Sequence, residues 1–269
     1  MFVFATRMLR DKWKSFAIYC ISALCFLEMY VALFPTISKQ SGQLDSLLKN
    51  LPPEMFKAMG IDHSALSFGN MESFLSTEYM SFLWPILAII FAITIANYIS
   101  VNEIDKGTIE TLSSLPANRF RIFIERYAAG LLLLFGFCIV SIFGVVPLAM
   151  IHGLDYVFVN YLTTAIGSFF FIWVVYSLAT LFSVIFSEKG RATMFSGGIL
   201  IFMYVIQIVT SLNENVKNLK YISFFNYFNG SDLLSKNIYP EYSLLVLGGS
   251  ALIISILALL WFQRRDLSV

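Results

Sequence analysis

Charged residues are scarce in this chain. Only 13% of its 269 residues are Asp, Glu, Lys or Arg, about half of the roughly 25% found in soluble domains. Hydrophobic residues make up 58%, including 27 Phe, which is more apolar surface than a soluble core of this size can bury. We therefore expect a lipid bilayer as the solvent. A net charge of +1 and the lack of a basic stripe give no reason to expect a nucleic-acid partner.

Catalytic and metal-binding patterns are also missing from the sequence. His63 and His152 fall in predicted loops, without a carboxylate or Cys at ligand spacing, and neither H-E-x-x-H nor G-x-S-x-G occurs. Cys20, Cys25 and Cys138 lie within apolar tracts and are interpreted as small packed side chains, not as metal ligands. No G-x-x-x-x-G-K-[ST] loop is present to hold a nucleotide phosphate. We predict a non-enzyme with no metal or cofactor of its own.

Long apolar tracts dominate what is present. Six of them can cross a hydrocarbon core of about 30 Å at about 1.5 Å per helical residue. They predict one all-α membrane domain over 1–269, with outer loops at 37–79 and 213–242. The tracts lie near 16–36, 80–101, 126–150, 158–186, 193–212 and 243–262. The first follows a basic segment, as in a signal peptide, but it lacks an A-x-A-like site and is interpreted as an uncleaved span.

Lys and Arg are distributed unevenly between the two sides. Of 18 cations, 12 fall in the N-terminal segment, the connections after the second and fourth tracts, and the C-terminal tail. Short positively charged segments stay in the cytoplasm, so both termini are predicted to be cytoplasmic.

Glu28 is the one charge inside the predicted spans. A carboxylate at a helix centre costs about 2.5–3.5 kcal/mol on insertion scales, which makes it a functional candidate. Two interpretations remain open. Glu28 either reaches interfacial water or a Tyr or Ser neighbour in a structural role, or it lies in a substrate pathway or gate.

The two outer loops have different characters. The stretch "LDSLLKNLPPEMFKAMGID" spaces its Leu residues as in short amphipathic helices resting on the membrane surface. The stretch "YISFFNYFNGSDLL" mixes aromatic residues with Asn, Gly and Ser, and is either a re-entrant or interfacial segment or a plain surface loop.

The connection "NEIDKGTIETLSSLPANRFRIFIERY" is unusually charged for a segment between two spans. Ile104, Thr108, Leu112 and Leu115 share one face of a helix over 103–115, which Pro116 ends. Asn118 is then a predicted N-cap for the helix that enters the third span.

Topology explains the cations of this connection but not its acidic residues, because Asp and Glu contribute little to orientation. Mixed charge on a short amphipathic helix favours docking of another protein.

Several stretches together resemble type 2 ABC exporter permeases. The connection above is similar to the one between spans two and three of that family, with an acidic residue, a Gly-Thr pair and a Pro followed by a basic residue. "LPPEMFKAMGID" resembles the first outer loop of one branch, and "SEKGRATMFSGG" the inner connection before span five. "YISFFNYFN" and "FQRRDLSV" resemble the last outer loop and the C-terminus. The resemblance covers essentially the whole chain.

The resemblance implies a permease subunit without its own ATPase. The helix at 103–115 would be a coupling helix in a groove of a separate ATP-binding-cassette ATPase, which would carry ATP and Mg. The residues placed in this role are Glu103, Gly107, Thr108, Glu110, Leu112, Pro116 and Arg119. Many relatives have a Lys early in span three, where this chain has Glu125 and Arg126, so no Lys role is carried over.

The resemblance also implies an amphipathic interface helix before span one. Its apolar stripe would be Phe2, Ala5, Leu9, Trp13 and Phe16, and its polar and anchoring residues would be Arg7, Arg10, Trp13 and Lys14. A second permease chain, identical or related, would complete the pathway within the lipids of a bacterial cell membrane. The aromatic-rich spans favour an amphipathic or hydrophobic cargo. The alternatives are an ATP-independent transporter or channel, and a non-transporting scaffold or sensor.

Overall fold

Six helices in the computed structural model are long and apolar enough to cross a membrane. The structure describes residues 2–39, 70–105, 118–212 and 214–265, and no strand occurs among them. We number the six helices as spans one to six: Val3–Lys39, Met71–Ala96, Arg119–His152, Phe158–Ile185, Lys189–Leu212 and Ser243–Arg264. The predicted all-helical, six-span fold is confirmed.

Span one is a single helix of 37 residues. At about 1.5 Å per residue it is roughly 55 Å long, which exceeds a hydrocarbon core of about 30 Å. The predicted interface helix and the span predicted at 16–36 are therefore continuous, with no break between them. Phe4 and Met8 of the first turns are buried against the bundle, whereas Phe2 and Trp13 are exposed.

Span two begins earlier than predicted. The outer loop was expected to run to residue 79, but the helix starts at Met71, where Asn70 caps it by accepting the Ser73 amide N–H at 2.9 Å. Two further carboxylates, Glu72 and Glu78, thus lie within a span. We placed the helix start nine residues too late, so Glu72 and Glu78 were not weighed beside Glu28 as acidic residues of a span.

The middle of span two is a π-helix over Ser76–Leu83. Pro85 follows it and has no N–H to donate to the carbonyl four residues earlier, so regular α-helical bonding cannot extend through this region. The Ser81 hydroxyl donates to the Ser76 carbonyl at 2.7 Å within the widened turns. The wide turns therefore end where the proline interrupts the bonding pattern.

Span three bends at Gly144, between helices Arg119–Phe143 and Val145–His152. Pro147 removes one hydrogen bond there, and a side chain at Gly144 would meet a methyl carbon of Leu24 at 2.4 Å. The span ends at Gly153, whose positive φ of 64° suits a left-handed helix cap.

Span four is the centre of the bundle. In its most apolar window 67% of residues are buried, against 17% in span five. Small buried residues, including Gly167, Ser177 and Ala179, let neighbouring helices approach closely. Span four packs most extensively on span six, and span one packs on span three.

The segment between spans five and six is folded. It contains a 3₁₀-helix over Glu214–Ile222 and helices Phe224–Tyr227 and Gly230–Lys236. Phe228 is buried and stacks on Phe171 of span four at 4.4 Å between ring centroids. The plain surface loop that we kept as an alternative is therefore wrong. The other outer stretch, at residues 40–69, lies outside the described residues.

Candidate functional site

An even number of spans places both ends of the chain on the same side of the bundle. We call this side the terminal face; it holds the starts of spans one, three and five and the ends of spans two, four and six. The opposite side is the distal face. The charged connection of the sequence begins and ends at the terminal face.

Arg126 is the central residue of the terminal face. Its side chain is 1% exposed, and its Nη2 atom donates to Glu103 Oε1 at 3.0 Å. Its Nη1 atom donates to the carbonyls of Ile99 at 2.9 Å and Tyr98 at 3.2 Å. One guanidinium on span three thus holds both the end of span two and the helix Val101–Asp105, where the predicted coupling helix begins.

Span one joins the same network through Tyr98. The Tyr98 hydroxyl donates to Asp11 Oδ2 at 2.5 Å, and Lys12 lies over the Tyr98 ring at 5.2 Å. Burial, together with the hydrogen bond to Asp11, raises the pKa of Tyr98 to about 12, so the phenol remains a donor at physiological pH. We call Asp11, Tyr98, Glu103 and Arg126 the Arg126 cluster.

Glu125 binds the amino end of span one. Its Oε2 atom accepts the backbone N–H groups of Phe4 at 3.0 Å and Ala5 at 3.4 Å, while Oε1 accepts from Arg121 Nε at 2.7 Å. A carboxylate at a helix amino end satisfies free N–H groups and complements the helix dipole. Span three therefore fixes the start of span one.

Further polar contacts tie the end of span two to spans four and five. The Val101 amide donates to the Ser183 hydroxyl at 3.3 Å, and the Asn97 side chain donates to Thr193 at 2.9 Å. The helix at Val101–Asp105 is thus in contact with the bundle on several sides. A displacement of this helix must displace its neighbours.

The start of span three is built as predicted. Asn118 is the N-cap and accepts the Phe120 amide N–H at 3.1 Å. Arg119, predicted as a coupling residue, donates to the carbonyl of Arg265 at 2.6 Å, beyond the end of span six. Arg265 in turn donates to the carbonyl of Val184 at 2.6 Å, at the end of span four.

The remaining predicted site residues fall into two groups. Gly107, Thr108, Glu110, Leu112 and Pro116 lie outside the described residues, so their coupling role stays a prediction. In the interface helix, Arg7, Arg10, Trp13 and Lys14 are exposed. Arg7 lies 3.8 Å from Asp11 on the next turn.

The acidic residues of the connection support docking of another protein less strongly than the sequence suggested. Glu103 and Glu125 were assigned to docking because topology does not explain them, yet both bind groups of the same chain. Arg126 was interpreted as a topological charge but is the buried hub of the network. Sequence spacing gave no sign of this, since Glu103 and Arg126 are 23 residues apart.

At the distal face, Glu28 of span one pairs with His152 at the end of span three, with 2.9 Å between Oε1 and Nε2. The sequence offered interfacial water or a Tyr or Ser as the partner of Glu28, whereas the structure places His152 there. Glu28 was predicted toward the outer side of span one and His152 in an outer connection, which placed both toward the same side but did not make them neighbours. The pair makes Glu28 a structural contact between spans and leaves a gating role untested.

These features define a polytopic helical membrane protein with a network of buried and half-buried charges at one end of its bundle. The sequence model of the family described as ABC-2 family transporter protein matches residues 5–267. The chain belongs to the ABC-2 transporter family and is a membrane permease component. No curated protein matches it.

Proposed function

We propose that this chain is the permease subunit of an ATP-binding-cassette exporter. A separate cytoplasmic ATPase supplies ATP and Mg, and a second permease chain, identical or related, completes the pathway. The terminal face is the cytoplasmic face of a bacterial plasma membrane. Family membership supports the permease role, the Lys and Arg distribution supports the orientation, and the lack of a phosphate loop in the sequence supports a separate ATPase.

The observation that carries the proposal is the Arg126 cluster. Arg126 is buried and holds Glu103, the first residue of the predicted coupling helix, at 3.0 Å. Tyr98 extends the connection to Asp11 of span one. A chain of hydrogen bonds therefore leads from Glu103 to spans one, two and three.

The proposed mechanism follows from this path. Nucleotide-driven closure of the ATPase pair displaces the 103–115 segment. Because Glu103 and the Tyr98 and Ile99 carbonyls share one guanidinium, the end of span two and the start of span three move together. Glu125 passes the same movement to the amino end of span one through its bonds to Phe4 and Ala5.

The proposed dimer uses the least buried spans. In their most apolar windows only 17% of residues in span five and 22% in span one are buried within the chain. These two spans therefore offer the largest uncovered helical surface to a second permease chain.

Copurification and coupling of the ATPase test this proposal. Candidate ATPases are coexpressed with the wild type, Gly107→Trp and Glu103→Lys. We expect Gly107→Trp to weaken assembly or to uncouple ATP hydrolysis from transport. Glu103→Lys places a second cation beside Arg126, so it is expected to impair both folding and assembly.

A charge exchange separates docking from folding. The double variant Glu103→Arg with Arg126→Glu restores the ion pair but not the bonds from Arg126 to the Tyr98 and Ile99 carbonyls, so it is expected to regain only part of the folding lost in Glu103→Lys. Arg191→Met is the matched control, because Arg191 forms an exposed pair with Glu188 on the same face. Normal assembly and coupled hydrolysis with Gly107→Trp would rule out the coupling role of 103–115.

An ATP-independent transporter remains the second candidate, favoured by one observation. Glu28 and His152 form a protonatable pair within the spans, of the kind that ion-coupled transporters use. Proteoliposomes without any ATPase decide between the two. Uptake or efflux driven by a proton gradient alone, and lost in Glu28→Gln, would favour this candidate over the exporter.

A further inference from the structure

Two cavities adjoin along spans two and five, one at the distal face and the other extending from it toward the terminal face. The first, of about 300 Å³, lies beneath the folded segment between spans five and six. The second, of about 390 Å³, runs between spans two and five. Ser81, Pro85, Tyr204 and Phe225 line both. The two cavities therefore adjoin; we call them together the groove, and each is within the size range of sites for small molecules.

The two ends of this groove differ in chemistry. The end under the folded segment carries Gln207, Asn226, Asn229 and Asp232. The other end is lined by apolar side chains and by Gly197. Along span two it extends from Ser81 to Ile93, which is roughly 18 Å at 1.5 Å per residue. The groove thus has a polar head region and an apolar tail region.

The head region carries no unbalanced charge. Asp232 forms an ion pair with Lys236 at 2.9 Å, and its other carboxylate oxygen accepts from Asn229. Among the described residues, no Lys or Arg lines either cavity. An anionic head would lack a cation there, and a cationic head would have to displace Lys236 from Asp232.

Gln207 offers an unused hydrogen-bonding atom in the head region. Its Oε1 atom is buried and has no hydrogen-bond partner among the described residues. A buried amide oxygen without a partner is costly, and a hydroxyl or amide N–H of a ligand would satisfy it.

We propose that this groove binds amphipathic molecules with an uncharged, hydroxyl- or amide-bearing head and a hydrocarbon tail. The head lies against Gln207, Asn226 and Asn229, and the tail lies along Ile86, Ile90 and Gly197. The inference that such molecules are also the transported cargo rests on the proposed permease function. The inference that they bind in this groove is independent of that function.

Photolabelling of the full chain in lipid nanodiscs tests the site. The probe is 1-oleoylglycerol with a diazirine in its tail, and labelled peptides are mapped by mass spectrometry. We expect labels to concentrate on residues 82–93 and 197–204. Unlabelled 1-oleoylglycerol should compete, whereas oleoyl lysophosphatidic acid (anionic) and oleylamine (cationic) of the same tail length should not.

Two neighbouring glycines supply a matched pair of variants. A Cβ atom built at Gly197 or at Gly198 meets nothing within 4 Å, but only Gly197 lines the groove. Gly197→Leu should lower labelling by roughly tenfold, because it occupies the space of several tail methylenes. Gly198→Leu should leave labelling unchanged. Gln207→Leu should lower it by roughly fivefold through the lost head-group bond.

The outcomes separate cleanly. Labels spread over all lipid-facing spans, or equal labelling of the two Leu variants, would show an ordinary lipid shell and overturn the site. Equal competition by the charged analogues would overturn the head-group assignment. Labelling needs no ATPase, so a failed coupling experiment leaves a positive result intact. Scattered labels, in turn, would not count against the proposed coupling role of residues 103–115.

Discussion

Replacing Arg126 by Met removes a buried cation while keeping an unbranched side chain in its place. The guanidinium is 1% exposed and binds one carboxylate and two carbonyls at 2.9–3.2 Å. Met leaves the Glu103 carboxylate, which is 12% exposed, without this cation. Breaking a buried ion pair from one side costs about 3–5 kcal/mol. Since about 2–4 °C accompanies each kcal/mol in chains of 150–250 residues, the expected loss of thermal midpoint is roughly 6–20 °C.

Thermal midpoints of the purified chain, followed by the monodisperse peak in size-exclusion chromatography, measure this loss. Arg191→Met is the control, because its pair with Glu188 is 64% and 58% exposed and exposed pairs contribute about 0–1 kcal/mol. We expect the control to remain within about 4 °C of the wild type.

A double-variant cycle provides the decisive comparison. Glu103→Gln removes the charge that Arg126→Met leaves behind, so the combined variant should be more stable than Arg126→Met alone by about 1 kcal/mol or more. Strictly additive losses would refute the direct pairing of these two side chains. An Arg126→Met midpoint equal to that of the control would refute the buried hub.

Three further changes have defined outcomes. Glu125→Ala leaves the amino end of span one uncapped, at a cost of about 1–2 kcal/mol, and should speed hydrogen exchange of its first turns, whereas Gln at this position should retain part of the protection. Gly130→Ala places a side chain 2.1 Å from the Tyr176 hydroxyl and should cost about 1–3 kcal/mol in thermal stability; an unchanged midpoint would contradict this close approach. Glu28→Gln keeps a hydrogen-bonding partner for His152 and should preserve expression and folding; lost transport with a normal midpoint would assign Glu28 to the pathway.

Span positions could be predicted because lipid imposes one simple requirement. Every backbone group must be satisfied within its own helix, so a long apolar tract without Lys or Arg is sufficient evidence for a span. Asn118 could be predicted for a similar reason, since an N-cap depends on residues within one turn. Span two was placed too late because its first turns include Glu72 and Glu78. Buried contacts, such as the bond from the Val157 amide to Glu72 at 2.7 Å, make that polarity tolerable.

Pairings between distant residues were out of reach of a single sequence. The bond between Glu103 and Arg126 and that between Glu28 and His152 depend on which spans are neighbours, and hydropathy does not encode neighbours. The groove between spans two and five was missed for the same reason. Gln207 is one polar residue in an apolar tract and becomes noticeable only when the folded segment is seen to cover it.

The π-helical stretch at Ser76–Leu83 affects how chains of this kind can diverge in length. Each α-helical residue turns the chain by about 100° and advances it by about 1.5 Å. A relative that lost one residue within this stretch could close the wide turns into regular α-helix. Because a π-helix has more residues per turn than an α-helix, fewer α-helical residues cover the same rotation, and the turn at Met71–Leu75 would keep nearly its present facing. Span two can therefore gain or lose one residue at this stretch without turning Glu72 or the groove lining toward new neighbours.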